Sequence, residues 1–154
     1  FNAVASRPPT LIVAPGLHEG HYKDTLRNLV DTGEFTVNVV SAELAEQMNV
    51  TSTTSKEDEF DRAGLTAVPG VDVAAPLVAE CKANFECRVT RTVEIGDEEP
   101  TAVVVFGEIV RFHIQESIVN ERFHVDPLAL APVGRLAGPN YANVTNTYQM
   151  IRPD

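Results

Sequence analysis

The sequence predicts a mainly β fold, a small barrel with a few helices packed outside it. Three observations predict it. Residues 84–95 alternate strictly enough to be a strand: Phe85, Cys87, Val89, Val93 and Ile95 share one parity, interrupted only by Arg91. Asn84, Glu86, Arg88, Thr90, Thr92 and Glu94 form the other face, read as the wet side of an antiparallel sheet. A turn at residues 96–100 returns the chain into a second long strand at 101–115, in which Ala102, Val104, Phe106, Val110, Phe112 and Ile114 share a parity. Strands this long bend or coil around a barrel, whereas the helical periodicities elsewhere are short.

Taken in order, Arg7-Pro8-Pro9-Thr10 is a rigid entry to a strand at 10–14. Pro15-Gly16 breaks it. A helix is expected over 24–32, from Leu26, Leu29 and Val30, with Asp24 or Thr25 as its N-cap and Gly33 as its stop. A second strand covers 34–41, with Phe35, Val37 and Val39 alternating. Ser41 then caps a helix at 42–48 without completing a capping box. Residues 51–58 are a polar loop. Residues 58–63 make one or two helical turns ended by Gly64, and 65–76 form an extended connector with room for one edge strand, since Pro69 and Pro76 argue against a central one. Gly107-Glu108 interrupts the second long strand as a bulge or a close approach. Asp126-Pro127 opens a short helix through Leu130, residues 135–141 form a loop, and 148–152 a last strand or an arm. Phe106 reads as core, and His113 and His124 as surface strand residues.

The composition bounds the function. The 154 residues suit one domain, and a 44% hydrophobic content supports a core. A net charge of −10 argues against duplex nucleic acid and anionic membrane surfaces as partners. No apolar run approaches the roughly 18 residues of a membrane-spanning helix. Cys81 and Cys87, placed in one strand, would stand roughly 20 Å apart. A disulfide needs about 7 Å, so they read as free thiols in a reducing, cytoplasmic setting. Metal-ligand spacing is absent, as are a Ser-His-Asp arrangement and a nucleophile motif.

The segment 16–33 carries the functional signal. Lys23 stands at the helix start with Arg27 one turn on, and His18 and His21 lie in the preceding loop. A helix N-terminus offers unpaired N–H groups and the positive end of the dipole, so cations gathered there in an acidic chain suit a phosphate monoester. An ordinary capped helix with a solvated lysine is the competing reading, since no glycine-rich phosphate fingerprint is present.

Several stretches resemble one known family. Phe1-Asn2-Ala3-Val4-Ala5-Ser6-Arg7-Pro8-Pro9-Thr10 is similar to the strand-and-turn segment of the flavin reductase-like, FMN-binding split-barrel proteins. Lys23-Asp24-Thr25-Leu26-Arg27-Asn28 resembles their phosphate-holding helix, and Thr32-Gly33-Glu34-Phe35-Thr36-Val37-Asn38 the strand after it. Asp58-Glu59-Phe60, Ala63-Gly64-Leu65, Phe106-Gly107-Glu108-Ile109-Val110 and Pro132-Val133-Gly134-Arg135-Leu136-Ala137-Gly138-Pro139-Asn140-Tyr141 follow in the family's order. No single motif is diagnostic, but the ordered set is quite specific. The resemblance implies an FMN-binding split barrel, here one N-terminally incomplete domain over 1–154 that lacks the two strands usually preceding the Phe-Asn segment.

It further implies a homodimer with FMN at the subunit interface and hydride transfer from NADH or NADPH to the flavin. Carried over by residue, Lys23, Asp24 and Thr25 would sit at the phosphate, Asn2, Ala3 and Val4 along the isoalloxazine edge, and Asn49 and Ser52 near the ribityl or phosphate region. No catalytic side chain is expected, because the cofactor carries the chemistry. Asp24 is open between this role and a plain cap. His18 and His21 either face the cofactor or are exposed. Arg135 either binds a nucleotide phosphate or makes a surface salt bridge, and Tyr141 either stacks or packs. The alternative function is a non-catalytic module that binds an anion or serves dimerisation.

Overall fold

A computed structural model describes residues 1–18, 21–53, 55–97 and 100–153. Five strands form the principal sheet: β1 (Asn2–Ser6), β2 (Pro9–Val13), β5 (Glu34–Asn38), β8 (Ala83–Ile95) and β9 (Ala102–Ile114), in the spatial order β1-β2-β9-β8-β5. Between β2 and β5 come the two-residue strands β3 (Leu17–His18) and β4 (His21–Tyr22), which pair as a hairpin, and helix α1 (Asp24–Thr32). After β5 the chain makes a 3-10 turn (Ala42–Leu44), α2 (Ala45–Thr51), α3 (Glu59–Ala63), and the short strands β6 (Ala67–Val68) and β7 (Leu77–Val78). After β9 come a second 3-10 turn (Glu116–Ile118), α4 (Pro127–Leu130), and the hairpin of β10 (Val133–Arg135) with β11 (Tyr141–Asn143).

The chain divides into two compact units. Unit 1 is Phe1–Val37, Val68–Leu77 and Phe85–Phe112; unit 2 is Asn38–Ala67, Val78–Asn84 and His113–Asp154. The core of unit 1 is Leu11, Leu26, Leu29, Phe35, Val37, Cys87, Val103 and Val105. Helix α1 contributes Leu26 and Leu29, three residues apart and so on one helix face. Gly33 ends that helix in the left-handed region, at φ 68°, and returns its N–H to the Leu29 carbonyl.

Several expectations change at the level of faces. The buried parity of β9 is Val103, Val105 and Gly107, opposite to the apolar set of the sequence pattern. Phe106 is therefore not core: it is half-buried, with the Arg91 guanidinium 5.9 Å above its ring. Gly107 lies where chains approach closely. A Cβ there would stand 2.6 Å from Cε1 of Phe35 and closer still to its Cζ. The register of β9 with β2 is regular through this point, so no bulge falls on that side of Gly107 and the close approach accounts for the residue. The bulge lies instead in β1, where the pairing slips between Ala3 and Ala5 and leaves Val4 as the extra residue.

The wet face of β8 is dry at its start. Asn84 and Glu86 are buried along with Ala83 and Cys87. Glu86 is fully buried and carboxylate-capped by backbone: Val71, Asp72 and Val73 all donate N–H bonds to it at 2.6–3.1 Å. The 65–76 connector is thus held in place by side chains from the sheet, with Glu34 accepting from Ala74 N, Arg88 donating to Asp72 O, and Arg111 pairing with Asp72 at 2.6 Å.

In unit 2 residues 136–140 are the expected loop, which joins β10 to β11, while Arg135 and Tyr141 face each other at the strand ends. Residues 144–153 carry no regular structure, and Tyr148, Met150 and Ile151 are almost wholly exposed, so the tail is an arm and not a strand. His113 lies in β9, but His124 lies in a turn outside any strand. Cys81 precedes β8 and does not share its strand with Cys87; both thiols are free and buried.

Candidate functional site

The start of α1 in unit 1 holds the expected cations. Lys23 is the N-cap residue, extended at φ −60° and ψ 154°, and no side chain caps the helix. This corrects the expectation that Asp24 or Thr25 would cap: both already lie inside the helix, one and two residues past the capping position. The first amides of a helix have no intrahelical partner, so this end is open to an external acceptor. Asp24, the first helical residue, is engaged with Arg27 at 3.1 Å, and Arg27 also donates to Tyr22 O at 3.4 Å. The acidic group of the first helical turn is thereby partly neutralised by its neighbour. Lys23 and Thr25 are exposed, and neither side chain has a hydrogen bond or ion pair among the described residues. The set fits a phosphate: open amides, a free ammonium and a free hydroxyl within three consecutive residues.

His21 is exposed in β4. Its neighbour Tyr22 donates its phenolic hydroxyl to Glu94 at 3.1 Å. That bond, and then the charge of Glu94, hold the Tyr22 pKa above its ordinary value. The His18 side chain, together with Glu19 and Gly20, lies outside the described residues.

Asn2, Ala3 and Val4 lie on β1, the last strand at one edge of the sheet, and all are exposed. An edge strand keeps one row of N–H and C=O groups unpaired, and the slip at Val4 breaks the ladder locally. These backbone groups suit a planar ligand with alternating donors and acceptors along its rim. Beside them Phe1 stacks edge-on against Phe85 at 6.0 Å, and Phe85 against Phe112 at 5.2 Å, leaving Phe1 and Phe112 more than half exposed. Asn49, in α2, and Ser52, which ends it, are exposed residues of unit 2. Lys23, Asp24, Thr25, Asn2, Ala3 and Val4 thus belong to unit 1, and Asn49 and Ser52 to unit 2.

Sequence reasoning missed the Glu86 clamp, because alternation assigned that residue to solvent. The signal available was the missing partner: a glutamate flanked by Phe85 and Cys87, facing a connector whose backbone had no ladder of its own. Among the described residues no group of three or more His, Cys, Asp or Glu is arranged to hold a metal.

Residues 1–132 match the flavin reductase like domain family. The chain belongs to that family. It is 34% identical to the YwrF protein of Bacillus subtilis (strain 168) over 99% of its own length and 77% of that protein's. The solved structure of nitrilotriacetate monooxygenase component B from Bacillus cereus superposes with a TM-score of 0.92 at 30% identity, covering 97% of this chain and 75% of that one. The FMN reductase (NADH) RutF of Bradyrhizobium diazoefficiens is 29% identical over 76% of this chain and 61% of its own. The fold is accordingly that of the flavin reductase split barrels, and the chain stands among flavin-related oxidoreductases. No helix among the described residues is long and apolar enough to cross a membrane.

Proposed function

We propose that the chain is an FMN-binding oxidoreductase that accepts hydride from NADH or NADPH onto the flavin. The uncapped, cationic start of α1 carries this reading: Lys23, Thr25 and the first helical amides would hold the phosphate. Asp24 would be turned to Arg27, which limits its repulsion. The exposed backbone of Asn2, Ala3 and Val4 would meet the ring edge, and Asn49 and Ser52 would lie toward the ribityl chain. FMN, when bound, supplies the reversible two-electron centre. The name of the RutF relative supports FMN and NADH together.

The protein's own part is to bind and orient. A fixed ring edge decides which face a nicotinamide can approach, and the exposed Phe1–Phe85–Phe112 cluster offers apolar surface. We place a second copy of the chain over that surface, as a homodimer that encloses the flavin. Two buried free thiols suit a cytoplasmic, reducing compartment.

The test is an FMN titration by flavin-fluorescence quenching, with NADH and NADPH oxidation followed in parallel. Lys23→Ala is expected to weaken FMN binding about tenfold, the scale of one charge-assisted phosphate contact. A protein that stays colourless with FMN and oxidises neither nucleotide would favour the non-catalytic module instead. Unchanged affinity in Lys23→Ala would remove the phosphate from α1.

A further inference from the structure

Unit 2 contains a cavity of about 280 Å³ walled entirely by its own residues. Leu44, Met48, Phe60 and Leu65 give it an apolar, polarisable lining. Polar groups in the wall are committed to protein partners. The Asn38 carbonyl oxygen accepts from Val78 N at 2.9 Å and from Asn84 Nδ2 at 2.7 Å, and the Thr51 hydroxyl donates to Met48 O at 2.7 Å.

Glu59 is different. It is the first residue of α3, is exposed, and belongs to the lining of the same cavity. Its neighbours are occupied: Glu57 pairs with Arg62 at 2.9 Å, and Asp58 caps the helix by accepting from Phe60 N and Asp61 N. The Glu59 carboxylate has no hydrogen bond or ion pair among the described residues. An exposed carboxylate at the rim of an apolar wall, without an ion pair among the described residues, offers a counter-charge to a cationic ligand group.

Size narrows the ligand further. A dry apolar cavity of about 150 Å³ holds benzene, and drug-sized ligands need about 300 Å³ or more. The space here fits one ring with a short substituent. None of the residues assigned to the flavin lines it. We propose that this cavity is a second small-molecule site, for a single-ring aromatic amine whose ring packs among Leu44, Met48, Phe60 and Leu65 and whose ammonium meets Glu59.

The protein carries its own reporter. Cys81 lines the cavity, whereas Cys87 lies in the core of unit 1 and has no exposed surface. Methyl methanethiosulfonate converts a thiolate to its S-methylthio disulfide and releases methanesulfinate, so mass spectrometry of peptides reads each cysteine separately. Benzylamine at saturation is expected to slow modification of Cys81 at least about fivefold and leave Cys87 unchanged. Benzyl alcohol, the same ring without the charge, should need about tenfold higher concentration for equal protection. Glu59→Gln should bring the two probes together. Three results would each overturn the assignment: no protection by benzylamine, equal protection by both probes in the unaltered protein, or an unchanged preference for benzylamine in Glu59→Gln. Because no flavin enters the assay, each outcome is independent of whether α1 binds FMN.

Discussion

Glu86 shows how much one side chain can hold. Its carboxylate replaces a missing strand partner for three successive amides at residues 71–73. Glutamine at this position keeps the size but points an NH2 group at backbone donors. Glu86→Gln is expected to lower stability by about 2–4 kcal/mol, read from urea denaturation, because it removes charge-assisted bonds and strands buried donors. A stability loss under about a tenth of that would show that the connector is held by other contacts. Gly107 is the second such position. Adding one methyl group there drives a Cβ into the Phe35 ring, so Gly107→Ala should cost about 1–3 kcal/mol by overpacking. Phe35→Leu should be less harmful in the Gly107→Ala background than alone, a coupling that a double-mutant cycle measures.

At the scale of elements, the sequence was most legible where capping chemistry is local. Asp58 and Asp126 each cap a short helix with their side chains, as Asp-initiated turns should, and Gly33 and Gly64 close α1 and α3 with positive φ. Both long strands appeared within a residue or two of their pattern. What alternation alone did not reveal was which parity is buried, since β9 is apolar on both faces and only its packing neighbours choose between Val105 and Phe106. The same ambiguity hid the burial of Asn84 and Glu86. A polar side chain can be internal when a loop folds over it, and that depends on residues far along the chain. For the candidate site, the cations at the start of α1 were legible from spacing, but the capping residue was misplaced by one. Lys23 occupies the turn, so its backbone, and not an Asp or Thr side chain, precedes the open amides. The cavity beside α2 and α3 left no trace in the pattern, since its lining is drawn from five separate segments.

For the whole molecule, the ionisable groups predict how stability responds to base. Burial raises the Cys87 thiol to about 12, and burial together with nearby Glu80 raises Cys81 to about 11, from an ordinary 9.0. Tyr22 is also held above its usual value, through Glu94. Each folded-state pKa is raised, so the unfolded chain loses these protons first. Stability from these groups is complete below about pH 9 and is lost as pH rises through 11 and 12. Urea midpoints measured from pH 8 upward should fall on the alkaline side, and Cys87→Ala should flatten part of that fall; a slope unchanged in that variant would assign it elsewhere.

The strand order has a bearing on how the chain acquires its shape during synthesis. The middle of the sheet, β9 beside β8, is encoded after residue 82, while the flanking strands β1, β2 and β5 are encoded before residue 39. A ribosome therefore releases the margins of the sheet well before the strands that join them. Apart from the β1–β2 hairpin, the early strands must wait unpaired, a condition that slows non-local assembly and invites association between nascent chains. Truncation at residue 82 is expected to leave far-ultraviolet circular dichroism without the strand signal of the full chain, and a native-like spectrum from that piece would mean that the margins can order without their centre.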